Sequence, residues 1–228
     1  MSDNNRRKST LYAYAGLSGI LAAIAEERSS SHNIPKPDSF RNQLIQWYQA
    51  HLTSMRNPSL DTLCLRVLWH EAFLALYADL DFLDRVVGRE GYPVGSADIT
   101  HITDWVNDVS GQHCVIHAML IVDRIRTLGI GAEPSIHVPA ALFYAGCVIY
   151  CHIQYGQPPS SERLKANMAE LQCIAQSDAE GSRVDVDSLQ HLDSSVLHEV
   201  IDFLRRQGHW GLSRRFASIL DLVFTDWE

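Results

Sequence analysis

Basic residues are in short supply. Lys and Arg together number 19 against 27 Asp and Glu, a net charge of −8 over 228 residues. Affinity for nucleic acid comes mostly from clustered Lys and Arg, so this balance argues against a broad phosphate-binding face. Cysteine is sparse and odd in number, at Cys64, Cys114, Cys147, Cys151 and Cys173. Most of these lie in apolar helical patterns, which fits buried thiols in a reducing compartment and not a disulfide framework. Strand signals are thin: apolar alternation is short, and no Asn-Gly or Asp-Gly turn joins two β-branched runs. There is no Gly-x-Ser-x-Gly elbow and no Walker-type phosphate loop. The run Leu11 to Ala25, behind Arg6, Arg7 and Lys8, imitates a secretory leader ending in Ala23-Ile24-Ala25. It is diluted by Tyr12, Tyr14, Gly16, Ser18 and Gly19 and falls short of the ~20 residues of a membrane span, so an amphipathic first helix is the better reading.

What remains is helical periodicity. Phe40, Leu44, Trp47/Tyr48, His51/Leu52 and Met55 recur every three or four residues behind Asp38, an N-cap residue. From Leu60 to Tyr77 apolar side chains fall on every face, the mark of a buried central helix. Asp79 to Val87 predicts a short helix closed by Gly88. Ser96 caps a helix carrying Ile99, Ile102, Trp105 and Val109, and Ser110 opens another with Val115, Ala118, Met119, Val122 and Ile125 inward. Pro139 suits the first turn of a helix that runs to Tyr155. Leu164, Met168, Leu171 and Ile174 mark a shorter one. Val196 to Leu204 predicts the next, and Ser213 caps the last. The expectation is one all-α domain over 1–228 with about ten helices. Within it, 1–36 is an N-terminal tail and first helix, and 176–192 a mobile polar loop.

Three patterns invite chemistry. His70-Glu71 opens the zinc-protease motif H-E-x-x-H, but the second histidine position is Leu74, so that reading fails. Asp79, Asp81 and Asp84 imitate the aspartate-rich magnesium motif of helical terpene cyclases, in which carboxylates one turn apart share metal ions that hold a diphosphate. The second metal motif of those enzymes is not met: Gly111 and Val115 stand at its serine and glutamate places after Asn107-Asp108. The bland reading is that the three aspartates cap or solubilise a short helix while Leu80, Phe82 and Leu83 pack. His113/His117 and Cys147/Cys151 each lie four residues apart, and two such pairs facing each other make a tetrahedral zinc site. Nothing in the spacing makes them face, and buried cysteine and core histidine are commoner, so no metal is assigned. "RRKS", Arg6 to Ser9, is a basophilic phosphorylation pattern at Ser9 on a solvated tail.

Four stretches taken in order carry a resemblance: "LWHEAFLALYADLDFLDRVVGREG", "DWVNDVSGQHCVIHAMLI", "AEPSIHVPAALFYAGCVIYC" and "LRRQGHWGLSRRFASIL". Together they resemble the fungal-specific transcription factor domain, the regulatory region of fungal zinc-finger regulators, in the branch headed by two-cysteine two-histidine fingers. Its signature positions here are Trp69, His70, Asp81, Gly88, His117, Pro139, Gly208 and Trp210. The resemblance implies a non-catalytic helical module of a nuclear transcription factor. Such a module acts through protein partners of the transcription machinery or a like domain, and answers a small-molecule effector in some cases. The family's zinc DNA-binding module is absent from these 228 residues, so no cofactor and no direct DNA contact are expected. Alternatives are a magnesium-dependent helical enzyme of terpene-cyclase type and a stand-alone helical interaction module.

Overall fold

Leu65 to Tyr77 forms a helix buried on nearly all sides, with other described helices packed around it. The computed structural model describes residues 3–30, 37–53, 61–88, 94–128, 135–157, 169–177, 192–207 and 211–225. Among these described residues there are ten α-helices and no strand. They are α1 (Asp3–Ser30), α2 (Pro37–His51), α3 (Leu65–Tyr77), α4 (Leu80–Val86) and α5 (Ser96–Asn107). Then follow α6 (Val109–Arg126), α7 (Val138–Tyr155), α8 (Ala169–Ser177), α9 (Ser194–Arg206) and α10 (Gly211–Thr225). The chain is therefore all-α, as its periodicity predicts.

The central helix is fixed at both ends by donors and acceptors from elsewhere. At its start Cys64 takes a left-handed φ of 51°, and the Asp61 carboxylate accepts from Leu65 N at 2.6 Å and Arg66 N at 3.0 Å. That is why the helix begins at Leu65. At its end the free carbonyls of the last turn would be buried without partners. Arg28 of α1 donates to Ala75 O at 2.9 Å and Leu76 O at 3.0 Å, and Trp105 of α5 donates to Tyr77 O at 3.0 Å. Burial pushes the Arg28 pKa down, with Asp79 opposing it. Two further indoles pin α2: Trp69 Nε1 donates to Leu44 O at 2.8 Å, and Trp47 Nε1 donates to Ala13 O at 3.2 Å. Helix α3 packs on α1, α2, α6 and α7, while α7 adds α4, α5, α9 and α10 on its other sides. Among the described residues α7 is also the one helix long and apolar enough to cross a membrane, and 61% of it is buried inside the molecule.

Several local expectations shift. Asp38 lies inside the first turn of α2, which begins at Pro37. The cap of α5 is Gly95, and Ser96 is its first residue. Asp108, not Ser110, caps α6, its carboxylate accepting from Ser110 N at 3.5 Å. Val109 thus opens α6 and is 61% exposed, whereas α5 buries Ile102 and Val106. Ser213 sits buried in the first turn of α10, which begins at Gly211. The Ser9 segment is not a tail: Ser9 is an exposed residue on α1. Residues 176–177 belong to the end of α8, and 178–191 of the expected polar loop lie outside the described residues, as do Met55, Leu164 and Met168.

Gly111 is required where α5 turns into α6. A Cβ there would lie 2.3 Å from Trp105 O and 2.8 Å from Val106 Cα, contacts that only backbone movement relieves. Its own carbonyl accepts from His152 Nε2 of α7 at 2.9 Å. Gly111→Ala is expected to cost about 2 kcal/mol, as overpacking against backbone does. In a chain of this size that lowers Tm by roughly 4–8 °C by circular dichroism. A Tm within a degree of the parent would show that this corner is looser than its geometry indicates.

Candidate functional site

Four buried polar side chains gather where α3, α6 and α8 meet. His70 leaves α3 and His113 and His117 leave α6, all three buried. Glu170 leaves α8 with no solvent exposure. One α-helical turn separates His113 from His117, so both rings lie on one face of α6. His113 Nδ1 is 2.9 Å from Glu170 Oε1, and His117 Nε2 is 4.0 Å from the same oxygen. His117 continues to His70, Nδ1 to Nδ1 at 2.9 Å. The ring of His117 stacks on Phe73 with centroids 4.3 Å apart and planes 3° apart, and Trp69 meets it edge-on at 5.8 Å. Tyr77 lies against His113 at 4.7 Å between centroids.

Electrostatics decide the tautomers. Only one of two facing Nδ1 atoms can carry the shared hydrogen. A His117 ring with its hydrogen on Nε2 presents that N–H to the Glu170 carboxylate, and its bare Nδ1 then accepts from His70 Nδ1–H. The opposite choice would turn a lone pair toward a buried anion. The relay therefore runs from His70 to His117 to Glu170, with His113 on the other flank of the carboxylate. Burial first, then the facing His117 ring, pushes His70 well below the usual histidine range. Burial also lowers His117, with Glu170 opposing. Burial alone would raise the Glu170 carboxyl, but the imidazoles of His113 and His117 outweigh it and hold it well below the usual carboxylate range. The hydrogen bonding is incomplete: His113 Nδ1, His117 Nε2 and both Glu170 carboxylate oxygens are buried without aligned partners. The contact of His117 with the carboxylate is thus that of a charge with a neutral ring dipole, and it is poorly aligned. The next residue, Glu71, is buried with Oε2 unpaired, and burial pushes its carboxyl up to about 8.

The cluster collects only part of what the sequence singles out. His113 and His117 are in it. Cys147 and Cys151 are buried on α7, and the described residues hold no group of three or more His, Cys, Asp or Glu side chains placed to hold a metal ion. The two pairs therefore do not form the tetrahedral set that their equal spacing allows on paper. The aspartates also separate. Asp79 is exposed and caps α4, accepting from Phe82 N at 3.0 Å; Asp81 is exposed in the first turn; Asp84 is buried. Two of them thus cap or solubilise the short helix, and the third turns inward. Of the signature positions, Trp69, His70 and His117 are core residues, and Pro139 is buried in the first turn of α7. Gly88 follows α4 with a left-handed φ of 71°, a conformation open to glycine at little cost. Gly208 and Trp210 lie outside the described residues. Ser9 faces solvent on α1.

Glu170 is the member that sequence reading misses. In the sequence it stands between the apolar Met168 and Leu171 of a predicted helix, where a glutamate ordinarily faces solvent. No periodicity signal separates it from the other acids. The chain matches no family model, no curated protein and no solved structure.

Proposed function

We propose that this chain is the regulatory, non-catalytic helical module of a transcription factor, acting in the nucleus through protein contacts or an effector-dependent change of shape. The observation that carries this reading is the ordered set of four sequence stretches that resemble the fungal-specific transcription factor domain. Their described parts fall on α3–α4, α5–α6, α7 and α9–α10, the helices that build the core. The acidic balance agrees with a module that leaves DNA contact to another part of its regulator. Dispersal of Asp79, Asp81 and Asp84 over exposed and buried positions removes the main motive for a magnesium-dependent diphosphate enzyme.

The test tethers the full chain to an unrelated DNA-binding domain at a reporter promoter. Transcription is expected to change at least threefold in either direction. The chain alone is expected to give no sequence-specific footprint at physiological salt. An inert tethered chain, or a footprint from the chain alone, overturns the reading.

A further inference from the structure

We propose that the outer face of α1 is a homodimer interface, on which a second copy of this chain packs its own α1 antiparallel about a twofold axis. The inference goes beyond the regulatory reading and stands whether or not that reading holds.

α1 is fixed along its inner side, where it packs on α2 and α3. Ala13, Leu17 and Ile24 are buried, Trp47 donates to Ala13 O at 3.2 Å, and Arg28 donates to the last carbonyls of α3. At 3.6 residues per turn, the opposite side carries Lys8, Tyr12, Ala15, Gly19, Ala22 and Glu26 in one row. Of these, Tyr12, Ala15, Gly19, Ala22 and Glu26 are exposed, and so are Leu11, Gly16 and Ala23 beside them. Tyr12 is 77% exposed and Leu11 60%. From Ser9 to Ala25 no residue is charged. This is not the charged face that a surface helix ordinarily turns to water. Gly19 adds a second sign. A glycine inside a helix destabilises it relative to alanine, yet a Cβ at Gly19 would meet nothing within 4 Å. The single chain has no use for the missing side chain, whereas a helix approaching closely from outside has.

Charge identifies the occupant. The row begins in a basic turn, Arg6-Arg7-Lys8, and ends in an acidic one, Glu26-Glu27. A twofold axis across α1 pairs residues whose numbers have a constant sum. Placing Lys8 against Glu26 of the second copy sets Tyr12 against Ala22 and Ala15 against Gly19, each pair occurring twice. Large then meets small, the smallest residues fall at the axis, and opposite charges meet at both ends. A parallel pair would set Lys8 on Lys8, Tyr12 on Tyr12 and Glu26 on Glu26, which repels at both ends and holds the backbones apart. The overlap is ~27 Å long at 1.5 Å per residue. Such a helix pair buries on the order of 1,000 Å² in total, the low end for a specific interface, so a Kd of micromolar order is expected.

Sedimentation velocity of the full chain from about 1 to 200 µM brackets that Kd. The 25.6 kDa chain is expected to give way to a species of twice its mass as concentration rises. Gly19→Leu enters open space in the single chain, so it should keep the parent's circular dichroism and Tm while weakening the dimer roughly tenfold or more. Lys8→Glu and Glu26→Lys should each weaken it about fivefold at low salt. The double variant Lys8→Glu/Glu26→Lys should restore it, because the swap returns opposite charges to both ends of an antiparallel pair. A chain that stays monomeric over the whole range overturns the proposal. So does a Gly19→Leu dimer as tight as the parent's, or charge variants that all associate alike, the pattern of a parallel pair or of another face. Flotation with phosphatidylcholine vesicles tests a lipid surface as the cover instead: a chain that floats with the vesicles and stays monomeric without them overturns the proposal too.

Discussion

Trp69→Ala should cost about 4 kcal/mol of folding stability, within the ~3–5 kcal/mol typical of removing a buried tryptophan. The indole has no solvent exposure and no slack around it. Its ring centroid lies 4.6 Å from Tyr48, 4.7 Å from Phe73 and 5.0 Å from His70. Its N–H donates across to the Leu44 carbonyl of α2, so the substitution opens a cavity and withdraws a donor that ties α2 to α3. Urea unfolding followed by circular dichroism at 222 nm gives the number. Trp69→Phe, which keeps most of the ring contact, should lose about 1–2 kcal/mol. Trp105→Ala is a useful contrast, because that indole is only partly buried although it donates to Tyr77 O. It should cost clearly less than Trp69→Ala. The cavity also has an electrostatic consequence. Water admitted beside His117 relieves the burial that lowers its pKa, so a proton titration by NMR should find that ring moved up toward the ordinary histidine value. A loss below 1 kcal/mol with an unmoved His117 would mean that α3 is not the centre of the packing.

How much of this was readable in advance differs by level. The apolar run through Trp69, Phe73, Leu74 and Leu76 announces a helix buried all round, and all four residues have no exposure. The periodicity predicts one apolar stripe on α6 through Val115, Ala118, Met119, Val122 and Ile125. The helix buries those residues and also His113, Cys114, Ile116, His117, Leu120 and Ile121. The reading undercounts because histidine and cysteine dilute an apolar pattern, although a paired imidazole is a tolerable core group. The His113/His117 spacing was visible and its partner was not. Four-residue spacing places two side chains on one face of a helix, but nothing local states which helix will lie opposite. α8 supplied the partner from more than fifty residues away in the chain, and α7 with its cysteines did not. The same limit applies at the ends of α3. Asp61 is a capping residue type and sits close by, whereas Arg28 reaches the last carbonyls from a helix 47 residues earlier. Asp84 repeats the lesson in reverse: an aspartate in an acidic surface pattern turned inward once α4 was laid down.

Glu71→Gln should stabilise the protein, and by an amount that grows with pH. The Glu71 carboxyl is buried on α3 with one oxygen unpaired, and burial raises its pKa from 4.5 to about 8. A carboxyl raised in the folded state binds a proton there that the unfolded chain releases at lower pH. Its stabilising contribution is therefore complete below the unfolded value and is lost as pH rises through the folded one. Glutamine removes that loss, since an amide stays neutral throughout. Below pH 4.5 the two proteins should differ little from this source. Through pH 5 to 8 the variant should pull ahead, and above about pH 8.5 the gap should level off. At about 1.36 kcal/mol per pKa unit the shift sets a ceiling near 4–5 kcal/mol. The amide still needs donors and acceptors satisfied in a dry place, which takes back part of it, so a plateau of about 3 kcal/mol is expected. The slope separates this cause from packing. Glu71→Met, similar in length and apolar, should show the same pH-dependent gain over the parent, whereas a packing effect would shift the stability curve by a constant. Urea midpoints at pH 5, 7 and 9 suffice to decide. A Glu71→Gln curve parallel to the parent across that range would show that Glu71 keeps its charge in the folded state through contact with water, and that the interior around α3 is wetter than its burial indicates.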